Sequence, residues 1–210
     1  MTDLLIHVPI PPDPDTGTVF GGRPVMPRGT PFNWPVCKAC KGQMQFLGRL
    51  AVPADEFGEA RFALLFMCNN DPGLCDEWDP DEGANFVFIV PSKDADTTPN
   101  SPAATAIRKT TYGATLLSLP IADYDAALKA WANDNKKPAR EVLGQLFGEP
   151  TWVQSEHRPA CDKCGKTMRF IAQVEEGPDM NDQMNFGGGC AYVFECNCGS
   201  NIGKFLWQCG

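Results

Sequence analysis

Cys37-Lys-Ala-Cys40-Lys-Gly-Gln-Met44-Gln-Phe46-Leu47 and Cys161-Asp-Lys-Cys164-Gly-Lys-Thr-Met168-Arg-Phe170-Ile171 are two versions of one stretch, 124 residues apart. Pro35 falls on Pro159 at the same offset. Upstream, Gly22-Arg-Pro24 matches Gly148-Glu-Pro150 at an offset of 126. Downstream, Leu65-Phe66-Met-Cys68 matches Val193-Phe194-Glu-Cys196 at 128. One order of elements at a nearly constant offset is the signature of an internal duplication.

Each copy follows one plan: a Gly-Pro turn, a cysteine knuckle, an alternating strand, a loop, and an apolar strand ending on another cysteine. The alternating strands are Met44–Leu50 and Met168–Val174, and the apolar ones are Arg61–Cys68 and Ala191–Cys196. Short runs of this kind, bounded by Gly, Pro and Asn, predict antiparallel sheet. Asn85–Val90 closes the first copy as a third strand, and Lys204–Gln208 takes that place in the second. The first 36 residues hold eight prolines and are expected to be irregular or extended.

Between the copies the pattern changes. Residues 91–105, rich in Ser, Thr, Asp, Asn and Pro, read as a solvated loop, and Ala114–Leu119 as a strand. Tyr124, Ala127, Leu128 and Trp131 recur at helical spacing behind Asp123, an N-cap residue. A second helix is expected to start at Pro138, with Val142, Leu143, Leu146 and Phe147 as its apolar face and Gly148 as its stop. The expected fold is mainly β (α+β by count). It has two pseudo-symmetric antiparallel β repeats, each with a zinc knuckle, joined by a segment with one or two short helices. The boundaries are 1–90 for the first repeat, 91–147 for linker and helices, and 148–210 for the second repeat, all within one compact unit.

The ten cysteines carry the chemistry. The amino terminus lacks a basic stretch, a long apolar core and a small-residue cleavage site, which argues against secretion and for a reducing cytoplasm. There, clustered cysteines are metal ligands or redox groups. Structural zinc takes four soft or borderline ligands in a tetrahedron, and Cys-x-x-Cys supplies two of them from one tight turn. In the first copy the closing pair is Cys68 and Cys75, brought together by the turn Asn69–Gly73. In the second, Cys161 and Cys164 form the knuckle and Cys196 aligns with Cys68. Cys198 is the natural fourth ligand, with Cys209 its competitor. Cys190 aligns with Phe62 and reads as a small core hydrophobe. Two zinc ions are therefore expected, on Cys37, Cys40, Cys68 and Cys75 and on Cys161, Cys164, Cys196 and Cys198. A thioredoxin-like redox centre is disfavoured, because these pairs precede β-like segments instead of opening a helix. His7 reads as a strand residue, His157 as part of the turn entering a knuckle, and neither as catalytic. The glycines of Phe186–Cys190 read as a loop with unusual backbone angles, not a phosphate cradle.

In these 210 residues 26 acids stand against 18 bases, a net charge of −8. There is no basic run beyond Lys136-Lys137, so nucleic acid and anionic membranes are poor candidate partners. No apolar run approaches the roughly 18 residues of a membrane span. A basic protein is the better candidate. Asp76, Glu77, Asp79, Asp81 and Glu82 are the expected contact, although a solvated loop is the simpler reading of that run.

The Gly-Gly-x-Pro turn of Gly21–Pro24, the Trp34-Pro-x-Cys-x-x-Cys40 knuckle and Met44-x-Phe-Leu47 resemble the YwqG-like family of uncharacterised bacterial proteins. They also resemble the related programmed cell death 2 family of eukaryotes. The strand ends Phe66-Met-Cys68 and Phe194-Glu-Cys196 and the segment Phe186–Phe194 have counterparts there too, so the resemblance covers most of residues 20–209. It implies a pseudo-two-fold, mainly β protein with no established enzymatic activity. Programmed cell death 2 proteins are similar to a dedicated chaperone for a newly made, basic ribosomal protein. The expected function is thus a non-catalytic, zinc-binding, cytoplasmic protein-interaction module, a chaperone or adaptor for a basic protein. A thiol-dependent oxidoreductase and an acidic immunity protein against a toxin are the alternatives.

Overall fold

The strand that leaves each knuckle carries an irregularity at the same place. In β4 (Gln45–Val52), Phe46 lies opposite Phe66 of β5 (Arg61–Met67) while Gly48 lies opposite Leu65, leaving Leu47 as an extra residue. In β10 (Arg169–Glu175), Phe170 lies opposite Phe194 of β11 (Cys190–Glu195) while Ala172 lies opposite Val193, leaving Ile171 over. A bulge exchanges the two faces of a strand. Phe46 and Phe170 therefore pack on the outside beside the cysteines, while Leu47, Leu50, Ile171 and Val174 point into the common core. The duplicated sequence folds as a duplicated structure, down to this offset.

The computed structural model describes residues 1–10, 17–56, 58–93, 95–97, 99, 106–199 and 201–210. The remaining strands are β1 (Thr2–Val8), β2 (Thr18–Gly22), β3 (Met26–Pro27), β6 (Asn85–Pro91), β7 (Ala95–Thr97), β8 (Arg108–Leu119), β9 (Val142–Leu146) and β12 (Ile202–Gln208). Ten strands close an antiparallel barrel in the order β1-β8-β2-β4-β5-β6-β12-β11-β10-β9, and β9 returns to β1. β3 and β7 pair separately. The run β2-β4-β5-β6 of the first half is repeated as β9-β10-β11-β12 in the second. β6 meets β12 at one junction. At the other, β1 pairs with both β8 and β9, and β8 also pairs with β2, so the opening strand of each half hydrogen-bonds into the other half. Closure removes the sheet edges that two separate antiparallel sheets would expose.

The barrel interior is apolar, filled by residues such as Phe20, Leu50, Leu65, Val87, Leu146, Val193 and Phe205. Each half also has an outer cluster around its knuckle. The first contains Trp34, Phe46, Phe62 and Phe66, and the second Phe170, Tyr192, Phe194 and Leu206. Arg61, Glu195, Asp55 and Arg169 form an ion-pair network that ties first-half residues to second-half ones. Arg61 Nε donates to Glu195 Oε2 at 2.7 Å and Arg169 Nη1 to Asp55 Oδ2 at 2.9 Å, while Arg169 Nη2 also meets Glu195.

The helix α1 spans Tyr124–Asn135, with Asp123 capping it by accepting from the Ala126 N–H at 2.8 Å. Tyr124, Ala127 and Trp131 are its buried face, against Leu4 of β1 and Val142 of β9. Among the described residues no helix is long and apolar enough to cross a membrane.

The expected second helix is not formed. Pro138 precedes a three-residue 3-10 turn, Ala139–Glu141, and Val142–Leu146 is the strand β9, buried along its whole length. Two reasons are visible. Every residue of the segment is enclosed, so helical periodicity carried no information there. Gly144 also adopts φ +131°, where a Cβ would lie 1.9 Å from the Gln173 carbonyl oxygen. Residues 91–147 thus contain the barrel strands β8 and β9 as well as α1.

Candidate metal centres

Each knuckle is a hairpin closed by the same three backbone hydrogen bonds. The Cys37 N–H donates to Gly42 O at 2.8 Å, that of Lys41 to Cys37 O at 3.0 Å, and that of Met44 to Pro35 O at 2.9 Å. In the second half Cys161 bonds Lys166, Gly165 bonds Cys161, and Met168 bonds Pro159, at 2.8 to 2.9 Å. The turn needs a left-handed residue after the second cysteine. Gly165 supplies it at φ +70°, and Lys41 adopts the same conformation at φ +62°.

The other ligand candidates arrive from the strand that follows. Cys68 lies just past β5, its N–H held by Ala84 O at 2.8 Å, and Cys196 lies just past β11. The chain brings the sulfurs of Cys37, Cys40, Cys68 and Cys75 within 4.8 Å of one another, and likewise those of Cys161, Cys164, Cys196 and Cys198. Resolved separations are 3.6 Å for Cys40–Cys68, 3.7 Å for Cys161–Cys198 and 3.5 Å for Cys164–Cys196. Four sulfurs held tetrahedrally about 2.3 Å from one ion lie about 3.8 Å apart, whereas a disulfide needs about 2.05 Å. Both sets fit the tetrahedron, and none of the ten cysteines is joined in a disulfide. Cys198 joins the second set and Cys209 does not. Cys190 is buried in β11, its thiol donating to the Tyr192 hydroxyl at 3.3 Å, and burial pushes its pKa up to about 12.

The thiols of each cluster stand in unequal surroundings. The Gly42 N–H donated to Cys40 Sγ at 3.4 Å brings that thiol down to about 7. Burial pushes Cys68 and Cys75 upward and Cys196 up to about 12, and their thiol neighbours add to the rise. Four clustered thiols cannot all ionise on these terms, but a divalent cation reverses the balance and deprotonates coordinating thiols outright.

The sites differ in enclosure. Three of the four first-half cysteines are buried, against only Cys161 in the second half. Asn70 adds to the protection of the first, its Nδ2 donating to Cys68 Sγ at 3.3 Å and Cys40 Sγ at 3.5 Å. Sequence reasoning placed Asn70 only in a turn. Its proximity to two thiols depends on the β4–β5 register, which no local pattern announces.

Glu77 departs from the expected acidic contact. It is 1% exposed, and its carboxylate accepts from the Gly73 and Cys75 N–H groups, bracing the loop that delivers Cys75. Asn85 Nδ2 holds the same loop through Glu77 O and Asp79 O, at 3.0 Å each. Asp76, Asp81 and Glu82 are exposed and Asp79 is half-buried. Asp81 pairs with Lys204, which also reaches Asp162 inside the second knuckle at 2.7 Å. His157 is exposed, and His7 lies edge-on to Tyr112 at 5.5 Å. Neither histidine belongs to the two cysteine groups.

No family model matches the chain. A stretch of 55 residues is 36% identical to part of the uncharacterised protein YpfL of Salmonella typhimurium, covering 26% of this chain and 12% of that protein.

Proposed function

We propose that the chain is a YwqG-like, non-catalytic zinc protein of the cytoplasm that binds a basic protein partner, as a chaperone or adaptor. The observation that carries this reading is the donor set: four thiols at each site and, among the described residues, no fifth ligand group. A site closed by four cysteines leaves no open position for water or substrate, as a structural zinc site does and a catalytic one does not. Zinc is the metal proposed because a Cys-x-x-Cys turn closed by a second cysteine pair is the ligand pattern of structural zinc sites, and one ion per site staples a knuckle to its strand. Two divalent ions on eight thiolates add four negative charges, taking the formal charge from −8 to −12. Such a surface attracts Lys- and Arg-rich segments and speeds their encounter.

Metal and partner are tested separately. Cys68→Ser should release one of two ions and loosen the first half, while Cys190→Ser retains both; elemental analysis reads the difference. If Cys190→Ser empties a site, the ligand assignment is wrong. A partner recovered from source cells is titrated at two salt concentrations against wild type and an Asp76→Asn/Glu82→Gln variant, which spares Glu77 and so the knuckle. Affinity should fall with salt and in the variant, and affinity indifferent to both rejects the acidic surface. Rapid native alkylation of a thiol within either cysteine group would favour the oxidoreductase reading instead.

A further inference from the structure

The loop that delivers Cys75 is built on the other half of the molecule. Sixteen residues, 69–84, separate Cys68 from β6, against five, 197–201, between Cys196 and β12. The additional length docks on β12. There Trp78 stands edge-on to Trp207 at 6.0 Å, the Trp207 N–H donates to Trp78 O at 3.3 Å, and Asp81 pairs with Lys204. The same loop holds the first knuckle, because Gly83 O accepts from the Lys38 N–H at 2.9 Å.

Lys204 is the point where the two knuckle regions meet. Its side chain is only 8% exposed, and its ammonium bonds Asp81 from the first half and Asp162, at 2.7 Å, from the second. Asp162 follows Cys161 directly, as Lys38 follows Cys37. Asp81, Gly83, Cys161, Asp162 and Lys204 line one cleft of about 460 Å³. The duplication does not account for this contact. Lys204 lies opposite Phe194 on β11 as Phe86 lies opposite Phe66 on β5, so Lys204 stands where the first half has Phe86. Asp162 stands where the first half has Lys38. Phe86 and Lys38 cannot form such a pair, and Asp81 belongs to the length that the second half lacks.

We propose that Lys204 couples the two metal centres, so that filling one raises the affinity of the other. The inference rests on both cysteine sets holding metal. A first centre closed by Cys75 fixes the loop, the loop fixes Asp81, and Asp81 with Lys204 fixes Asp162 inside the second knuckle. The first ion to bind thus orders this chain of contacts, and the second binds to a site already ordered. Such coupling is reciprocal and amounts to about fivefold or more in affinity.

Competition titrations of zinc against a chromophoric chelator read the coupling in full-length chains. Cys198→Ser, with only the first set intact, and Cys68→Ser, with only the second, give the two single-site association constants. The product of the two wild-type constants should exceed the product of these by at least about fivefold. With Lys204→Met in all three chains that excess should disappear. Asp81→Asn, at an exposed side chain, breaks the same bridge where Lys204→Met does not fold. An excess below about fivefold in the chains that keep Lys204 overturns the proposal. So does an excess undiminished by Lys204→Met or, where that variant fails to fold, by Asp81→Asn. Two ions bound independently in this way leave the metal assignment standing, whereas a wild-type chain that takes up no zinc overturns that assignment and the proposal with it.

Discussion

Glu175 shows how one residue's surroundings set its chemistry. Its carboxylate accepts from the Tyr124 hydroxyl at 2.8 Å and from Gln173 Nε2 at 3.3 Å, yet burial dominates and raises its pKa above the usual carboxylate range. A carboxyl raised on folding contributes stability that is complete below its unfolded pKa and is lost as pH rises through the folded value. Glutamine escapes that loss and still offers an acceptor to Tyr124. The melting temperature of Glu175→Gln, relative to wild type, should therefore rise more at about pH 8 than at about pH 5, well above and near the unfolded carboxylate range. A difference that does not change with pH would contradict this. The acids near Glu77 teach a related lesson about reading sequence. Asp76, Asp81 and Glu82 sit where a solvated acidic run would put them, but Glu77 turns inward to bind Gly73 and Cys75 N–H groups. Charge alone did not distinguish them, because the loop fold decides which carboxylate meets those donors.

At the scale of elements, the knuckles and the strands after them were legible because their signals are local. Cysteine spacing, the Gly-Pro turns and alternation each act within a few residues. The strand β9 was not legible. Val142-Leu143-Gly144-Gln145-Leu146 is enclosed on both faces, so its apolar positions fit helix and strand alike, and its pairing partners β1 and β10 are distant in sequence. Gly144 is the residue that commits it. Gly144→Ala should destabilise the protein by more than about 2 kcal/mol, through a left-handed φ and a collision with the Gln173 carbonyl. Denaturant unfolding measures this, and a near-neutral effect would mean that β9 does not pair as described. The knuckles should also differ from each other. A zinc chelator is expected to remove metal in two phases, the faster from Cys161, Cys164, Cys196 and Cys198, which are the more exposed set. Cys198→Ser should abolish the fast phase and Cys68→Ser the slow one; a single phase common to both sites would refute the difference in enclosure.

Over the whole molecule, the duplication foretold two copies but not how they close. Barrel closure depends on β1 and β8 crossing between halves and on β6 meeting β12, contacts with no sequence signature of their own. The Arg61–Glu195–Arg169–Asp55 network spans those halves, and Glu195, with 7% of its side chain exposed, is its hub. Glu195→Gln leaves two partly buried guanidinia short of charge and should cost about 3 kcal/mol in denaturant unfolding; a loss within about 0.5 kcal/mol, the scale of an ordinary surface change, would show that the network does not bind the halves together. The central claim is that eight of the ten cysteines act as two closed metal sites, one per copy. Its most direct test is elemental analysis of folded protein purified without added metal, paired with native mass spectrometry. The account predicts two zinc ions per chain. A folded chain with no metal, or one whose iron and visible absorbance reveal an iron–sulfur cluster, would contradict it.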